Sequence, residues 1–146
     1  MNEKRGLNII LISSIIAIFV SLYLTYIHYS DTSSFCDISQ GLSCDIVNRS
    51  LYSEIFGIPV SFMSLVVFYF IALITMSALR NKKIFGLYKK DIINLIFWLM
   101  VISILLALYL IYIELFVLYS ICVLCVLLDI MILIIFIMAM KLRGEK

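Results

Sequence analysis

Four cysteines carry the clearest chemistry in this sequence, and they form two pairs. Cys36 and Cys44 have seven residues between them and lie in the long polar loop of the chain. Cys122 and Cys125 form a Cys-Val-Leu-Cys sequence at the start of the last apolar segment. Because a thiolate attacks a disulfide, two such pairs can pass electrons from one to the other. A pair at the membrane edge can also meet a lipid-soluble acceptor such as a quinone.

The spacing within each pair suits reversible disulfide formation. Cys122 and Cys125 are three positions apart, so they share one face of a helix at a separation compatible with a disulfide. We expect them in the first two turns of that helix, where unpaired backbone N–H groups favour a thiolate. Gly41 lets the polar loop fold back and bring Cys36 to Cys44. If Cys44 starts a short helix, its sulfur exchanges rather than acting as a structural link.

Three other interpretations of the cysteines stay open. The Cys36–Cys44 bridge can be purely structural, and Cys122 and Cys125 can be small apolar core residues, as free cysteines often are. All four can also share zinc or Cu(I), which thiolates bind. We nevertheless expect no metal site, because His28 is the only histidine and one pair lies partly in the membrane.

Asp129 is the other residue whose position asks for a reason. It follows Cys125 by four residues, on the same stripe of the last apolar segment. An acid at that depth costs several kcal/mol unless it is paired or neutral, and it is a functional candidate for that reason. Two interpretations remain: a proton donor or hydrogen-bond partner for a reduced quinone, or a neutral acid bonded to a Ser or Tyr of a neighbouring span.

The elements that position these residues are predicted to be membrane-spanning helices. The chain has 146 residues, of which 65% are hydrophobic and 14% are charged. A soluble domain of this size cannot bury so much apolar surface. A helix needs roughly 20 apolar residues to cross a bilayer, and four stretches reach that length: 7–27, 60–79, 92–113 and 119–140. We therefore predict an all-α integral membrane protein with a bundle of four transmembrane helices in one domain, 1–146.

The distribution of basic residues predicts the orientation of these spans. Ten of the eleven Lys and Arg residues precede the first stretch, separate the second from the third or follow the fourth, and Arg49 alone lies in the 28–59 loop. The positive-inside rule then places both termini in the cytoplasm and both cysteine pairs on the outer face. The predicted location is the cell (inner, cytoplasmic) membrane, crossed four times.

The 28–59 outer loop is predicted to contain a short interfacial helix. Ser43 or Asp45 is expected to cap a helix over 45–56, which would lie flat on the membrane with its apolar side down. Its apolar positions recur every four residues: Val47, Leu51 and Ile55. Gly57 and Pro59 mark the turn into the second span. The second outer connection, 114–118, is only a tight turn.

This combination of motifs resembles the vitamin K epoxide reductase family over essentially the whole chain. The resemblance lies in the Cys-x7-Cys pair after the first span, Ser50 six residues past Cys44, a Phe-Gly-Ile-Pro run leading into the second span, and a Cys-x-x-Cys opening the fourth. The chain looks like a prokaryotic homologue, and we expect it to be one without the fused thioredoxin-like domain that many of those carry.

The resemblance implies a quinone-dependent thiol/disulfide oxidoreductase that supports disulfide-bond formation. Cys36 and Cys44 would be the shuttle pair, with Cys36 attacked by an extracytoplasmic thioredoxin-fold (DsbA-like) partner. Cys44 would exchange with Cys122, and Cys125 would react with the quinone, ubiquinone or menaquinone. The other implied partners are membrane lipids, and no nucleic acid is expected.

The resemblance also implies three quinone-site residues. Ser50 matches a serine of the loop helix that covers the active site in the family. Ser53 stands where the animal enzymes have an asparagine, and Asp129 stands where they have a tyrosine. These two departures favour plain quinone reduction over vitamin K epoxide chemistry.

Two rival functions are weighed against this one. A DsbB-type oxidase is also a tetraspan with two outer cysteine pairs, but its second pair lies in a long second outer loop, and here that connection is short. The rival from another class is a non-enzymatic tetraspan whose cysteines bind a metal or link the structure.

Overall fold

The computed structural model describes residues 2–39, 41–80, 86 and 88–144. Its helices are α1 (Glu3–Tyr29), α2 (Cys44–Asn48), α3 (Val60–Leu79), α4 (Lys89–Ile113) and α5 (Val123–Gly144). Strands β1 (Glu54–Ile55) and β2 (Ile58–Pro59) pair antiparallel. A 3-10 turn covers Leu51–Ser53, and a π-helical turn, Glu114–Leu118, continues α4.

Four helices of the structure are long and apolar enough to cross a membrane: α1, α3, α5, and α4 together with its π-helical turn. The predicted all-α membrane fold is therefore confirmed. The bounds of α3, Val60–Leu79, coincide with the predicted second span. Because α1 and α4 run antiparallel to α3 and α5, all four cysteines lie where α1 and α4 finish, which we call the cysteine end of the bundle. At the opposite end, Lys89 Nζ of α4 lies 3.2 Å from Glu3 Oε1 of α1.

Small side chains on α1 allow it to pack closely against two neighbours, α3 and α5. Ser14, Ala17 and Ser21 recur at helical spacing and are completely buried. Small residues let helix backbones approach in a membrane, where the hydrophobic effect does not drive helices together. By contrast, α3 and α4 contact each other much less than α1 contacts α3. The bundle is therefore looser between α3 and α4.

The start of the fourth span differs from the prediction. The sequence indicated a span over 119–140, but α5 begins at Val123 and ends at Gly144. Tyr119 adopts a left-handed backbone with φ of 51° directly after the π-helical turn. A non-glycine residue in this conformation ends regular helix, so the chain needs three more residues before α5 can start. Consequently Cys122 precedes the helix instead of lying in its first turn.

The predicted loop helix over 45–56 is also wrong in its extent. The helix α2 stops at Asn48, because two serine hydroxyls take over the carbonyls that would have continued it. Ser50 Oγ donates to the Val47 carbonyl at 2.8 Å, and Ser53 Oγ donates to the Asn48 carbonyl at 2.7 Å. Such local side-chain bonds offer the backbone an alternative to helix. Leu51, predicted to lie on the apolar side of the helix, is 87% exposed.

A tight hairpin replaces the missing half of that helix. The strands β1 and β2 are joined by Phe56 and Gly57, which have φ of 54° and 77°. Two positive φ values are what a two-residue type I′ turn requires, and glycine meets this demand at the second position. Pro59 then precedes the first residue of α3, as the predicted turn into the second span requires.

Candidate active site

The first cysteine pair forms a buried disulfide. Cys36 and Cys44 are bonded, with their Cα atoms 5.8 Å apart and exposures of 4% and 0%. Cys44 is the first residue of α2, and Ser43 Oγ caps that helix by accepting the Ile46 N–H at 3.2 Å. The pairing and the position of Cys44 agree with the prediction, and the cap is Ser43 rather than Asp45.

Side chains of the loop hold the disulfide segment against α1. The Asp45 carboxylate accepts the Ser34 N–H at 3.1 and 3.2 Å, and the ring of Phe35 lies 5.2 Å from that of Tyr23 on α1. Arg49 Nη2 donates to three carbonyls at the end of α1 and just beyond it, those of Ile27, Ser30 and Thr32. The segment is thus kept in place by hydrogen bonds rather than by regular structure.

The second cysteine pair consists of two thiols at the start of α5. Cys122 is completely buried, whereas Cys125 is partly exposed. Cys122 occupies the N-cap position, and its Sγ accepts the Cys125 N–H at 3.2 Å. This is the bond that a serine or threonine makes at an N-cap, and it satisfies a backbone donor at the helix start. The cap therefore keeps the Cys122 sulfur next to the first turn that carries Cys125.

A buried acid that the sequence analysis passed over contacts this pair. Glu114, treated there only as part of a turn, is 5% exposed, and its Oε2 accepts the Cys122 N–H at 3.3 Å. The signal was an acid eight residues before Cys122 in an apolar stretch, a position that is costly in a membrane. Its side chain reaches Cys122 from the π-helical turn, a feature frequent at functional sites.

Backbone pairing brings the two cysteine pairs into one cluster. The Ile121 N–H donates to the Gly41 carbonyl at 3.1 Å, and Leu42 forms a parallel bridge with Ile121. The loop that closes the disulfide is thereby joined to the residue preceding Cys122. Both cysteines of the loop and Cys122 belong to one continuous buried cluster, and Cys125 packs against it.

A cavity of about 170 Å³ opens beside Cys125, in the looser space between α3 and α4. Its walls are mostly aliphatic and come from α1, α3, α4 and α5. Polar groups reach it at few points, namely Asn48, Ser53, three serines of α3 and α4, Glu114 and Asp129. A dry cavity of roughly 150 Å³ is large enough to bind benzene, so this one matches a single ring.

The structure separates the three predicted quinone-site residues. Ser53 and Asp129 line the cavity together with Cys125. Ser50 is not among the described residues that line it, and its hydroxyl is instead bonded to the Val47 carbonyl.

Asn48, which was not predicted, links the cavity to α1. The side-chain Nδ2 of Asn48 donates to the Leu24 carbonyl at 2.6 Å, and the backbone carbonyl of Asn48 accepts from His28 Nδ1 at 2.7 Å. His28 Nε2 lies 3.1 Å from Glu54 Oε1. The histidine therefore connects the end of α1 to α2 and to the hairpin, and its side chain is only 9% exposed.

One buried hydroxyl of the cavity wall lacks a partner within the described residues. Ser61, in the first turn of α3, is 7% exposed, and its Oγ makes no hydrogen bond within the described part of the chain. A buried polar group without a partner is costly, so it needs an explanation such as a ligand. Ser103, across the cavity on α4, donates instead to the Leu99 carbonyl at 2.9 Å.

This arrangement can exchange thiols and disulfides and can present a dithiol to a small, largely apolar molecule. The family model described as the Vitamin K epoxide reductase family matches residues 8–140, nearly the whole chain. No curated protein matches the chain.

Proposed function

This chain belongs to the vitamin K epoxide reductase family of membrane thiol/disulfide oxidoreductases, and from that premise we propose a specific reaction for it. It oxidises an extracytoplasmic thioredoxin-fold (DsbA-like) partner and passes the electrons to a quinone, ubiquinone or menaquinone, which supports disulfide-bond formation. It does so as a single domain of the cytoplasmic membrane, with both termini in the cytoplasm and all four cysteines on the outer face.

The observation that carries this proposal is the position of Cys125. Cys125 lines an apolar cavity of about 170 Å³, and its N–H is hydrogen-bonded to the sulfur of a second thiol, Cys122. Cys122 follows Ile121, whose backbone pairs with the loop between Cys36 and Cys44. Electrons can thus pass from the loop pair to Cys122 and Cys125, and from there to an apolar ring bound in the cavity.

The cavity fits a quinone head group in size and in chemistry. Its mostly aliphatic walls suit a ring, and the unpartnered Ser61 hydroxyl can donate to a ring carbonyl. Cys125, Ser53, Asp129 and Ser61 would surround the ring, which would supply a two-electron acceptor. Ligand sites of this kind are mostly apolar, with few polar groups that fix orientation.

Thiol–disulfide exchange orders the earlier steps. A partner thiolate attacks Cys36, which frees Cys44 to attack Cys122, and Cys125 then leaves as a thiolate. The partner's second thiol then releases Cys36, and Cys36 attacks Cys44 and frees Cys122. A bonded Cys36–Cys44 pair and two free thiols, the arrangement in the structure, are what these completed steps leave.

Quinone reduction by the purified protein tests the proposal. With a reduced thioredoxin-fold protein as donor, we expect loss of quinone absorbance in the wild type and none in Cys125→Ala. The variant is still expected to exchange at the loop, which a mixed disulfide between Cys36 and the donor reports. Quinone reduction that persists in Cys125→Ala contradicts the assignment.

A further inference from the structure

We propose that Glu114 is the carboxyl that exchanges protons with the Cys122–Cys125 pair each time this pair is reduced or oxidised. The inference deepens the proposed function, on which it rests. It concerns an internal step of the protein, so it can be tested without a quinone.

The position of Glu114 is the first argument. The carboxyl is 5% exposed, and its Oε2 accepts the Cys122 N–H at 3.3 Å. The Cys122 sulfur in turn accepts the Cys125 N–H at 3.2 Å. Glu114 is therefore hydrogen-bonded to the backbone of Cys122 and lines the same cavity as Cys125.

The composition of the cavity wall is the second argument. Among the described residues that line it, no Lys, Arg, His or Tyr is present, and only Glu114, Asp129 and the thiol of Cys125 readily exchange a proton. A thiolate released beside these apolar walls can receive its proton directly from one of the two carboxyls. A proton donor or acceptor needs to lie within hydrogen-bond reach or one water away.

Geometry favours Glu114 over Asp129. Asp129 is half-buried and lies one turn further along α5 than Cys125, and within the described residues its carboxylate makes no hydrogen bond to either cysteine. Glu114 instead comes from the π-helical turn, in which one extra residue per turn redirects the side chain towards Cys122. An acid at this depth is costly unless it is paired or neutral, so it is a functional candidate.

The exchange balances in atoms and electrons. The Cys44 thiolate bonds to the Cys122 sulfur, the Cys122–Cys125 bond breaks, and Cys125 leaves with the electron pair. The Glu114 carboxyl gives its proton to that thiolate. Cys36 then attacks Cys44, and Cys122 leaves. Of the two protons lost by the loop thiols, one restores the Glu114 carboxyl and the other protonates Cys122, so the loop loses as many protons as Cys122 and Cys125 gain.

The test follows reduction of the oxidised Cys122–Cys125 pair in quinone-free protein. Dithiothreitol is the reductant, acid stops the reaction, and a maleimide of high mass counts the new thiols. Glu114→Gln keeps an oxygen that accepts the Cys122 N–H but removes the proton. We expect reduction to slow by about a hundredfold in this variant, which is the usual size of a general acid effect. The wild-type rate should fall in D₂O, and the variant rate should not.

Asp31→Asn is the matched control, because it makes the same kind of change at an exposed carboxyl that does not line the cavity. We expect its rate to stay within about threefold of the wild type, well below the general acid effect. Asp129→Asn changes the other carboxyl of the cavity and should slow reduction less than Glu114→Gln does. Glu114→Asp keeps a carboxyl on a shorter side chain, so its Cys122–Cys125 pair should be reduced faster than that of Glu114→Gln. If Glu114→Gln does not fold, Glu114→Asp is compared with Glu114→Ala, which also lacks the carboxyl and should be slower.

Several outcomes overturn the inference. One is a wild-type rate in Glu114→Gln together with a slow Glu114→Ala, which makes Glu114 a positioning residue only. Another is a loss confined to Asp129→Asn. Wild-type protein that completes this internal step but reduces no quinone instead refutes the proposed function and leaves the role of Glu114 standing.

Discussion

Different forces hold the two cysteine pairs, of which three members are buried and Cys125 is partly exposed. Cys36 and Cys44 lie in a segment fixed by side-chain hydrogen bonds to backbone, with only five residues of α-helix. Cys122 and Cys125 lie at the start of a 22-residue helix packed in the bundle. Opening the first pair breaks a few hydrogen bonds, whereas opening the second unpacks transmembrane helices. This difference suits the proposed function, in which a protein partner reacts with the loop pair and a small molecule in the cavity reacts with Cys122–Cys125.

The largest effect on turnover should come from blocking thiol–disulfide exchange between the two cysteine pairs. In Cys44→Ser, the loop disulfide cannot form and no sulfur passes electrons to Cys122. We expect turnover driven by a thioredoxin-fold donor to fall at least a thousandfold, in the range lost with a nucleophile. Quinone reduction driven by dithiothreitol, which can reduce Cys122–Cys125 itself, should persist. Absorbance assays with each donor measure the two routes.

Cys122→Ser is the control for that experiment, since it should remove both routes. If the thioredoxin-fold donor still drives Cys44→Ser, the loop pair is not an obligatory intermediate and the distinction between the pairs fails.

A moderate effect is expected from loosening the loop alone. Asn48→Ala removes the buried bond from Nδ2 to the Leu24 carbonyl, which should cost about 1–3 kcal/mol of loop stability. The disulfide Cys36–Cys44 should then react faster with dithiothreitol, because the segment opens more often. Maleimide labelling of Cys125 should not change. Mass-shift assays at both pairs, with the melting temperature in detergent, measure these effects.

Ser30→Ala provides the matched control, because that hydroxyl is exposed and, among the described residues, bonds only to Thr32 Oγ1 at 2.8 Å. It should leave both rates unchanged. Faster labelling of Cys125 in Asn48→Ala would show that the two regions open together.

The smallest effect on quinone reduction is expected from Ser61, on the α3 wall of the cavity. Ser61→Ala removes the unpartnered hydroxyl and with it a net hydrogen bond of about 0.5–1.5 kcal/mol to a ring carbonyl. We expect the KM for quinone to rise roughly three- to tenfold with kcat unchanged. Ser103→Ala should have no effect, because its hydroxyl is already bonded to the Leu99 carbonyl. Equal responses of the two variants would remove Ser61 from the ligand site.

Individual residues show where prediction from the sequence succeeded. The second span was predicted to the residue, because Pro59 and the charged run after Leu79 stop the helix at both ends. The fourth span began four residues late, since neither the π-helical turn nor the left-handed Tyr119 has a signal in local composition. Ser50 and Ser53 shortened the loop helix through bonds that a hydrophobic period does not register.

The candidate site was predicted unevenly for a similar reason. Cysteine types and spacing indicated both pairs, and helical spacing placed Asp129 beside Cys125. Glu114 and Asn48 were missed because each acts through a contact to a residue distant in sequence, Cys122 in one case and Leu24 in the other.

The sequence by itself determined the four spans, the pairing of the cysteines and the family, since these depend on hydrophobic length and on residue type at short range. Only the tertiary structure decided where the cavity lies, which of its buried hydroxyls lacks a hydrogen-bond partner and which acid accepts the Cys122 N–H. Those properties arise from looser packing between α3 and α4 and from hydrogen bonds across the chain. No local pattern encodes them, because each depends on how separate helices meet.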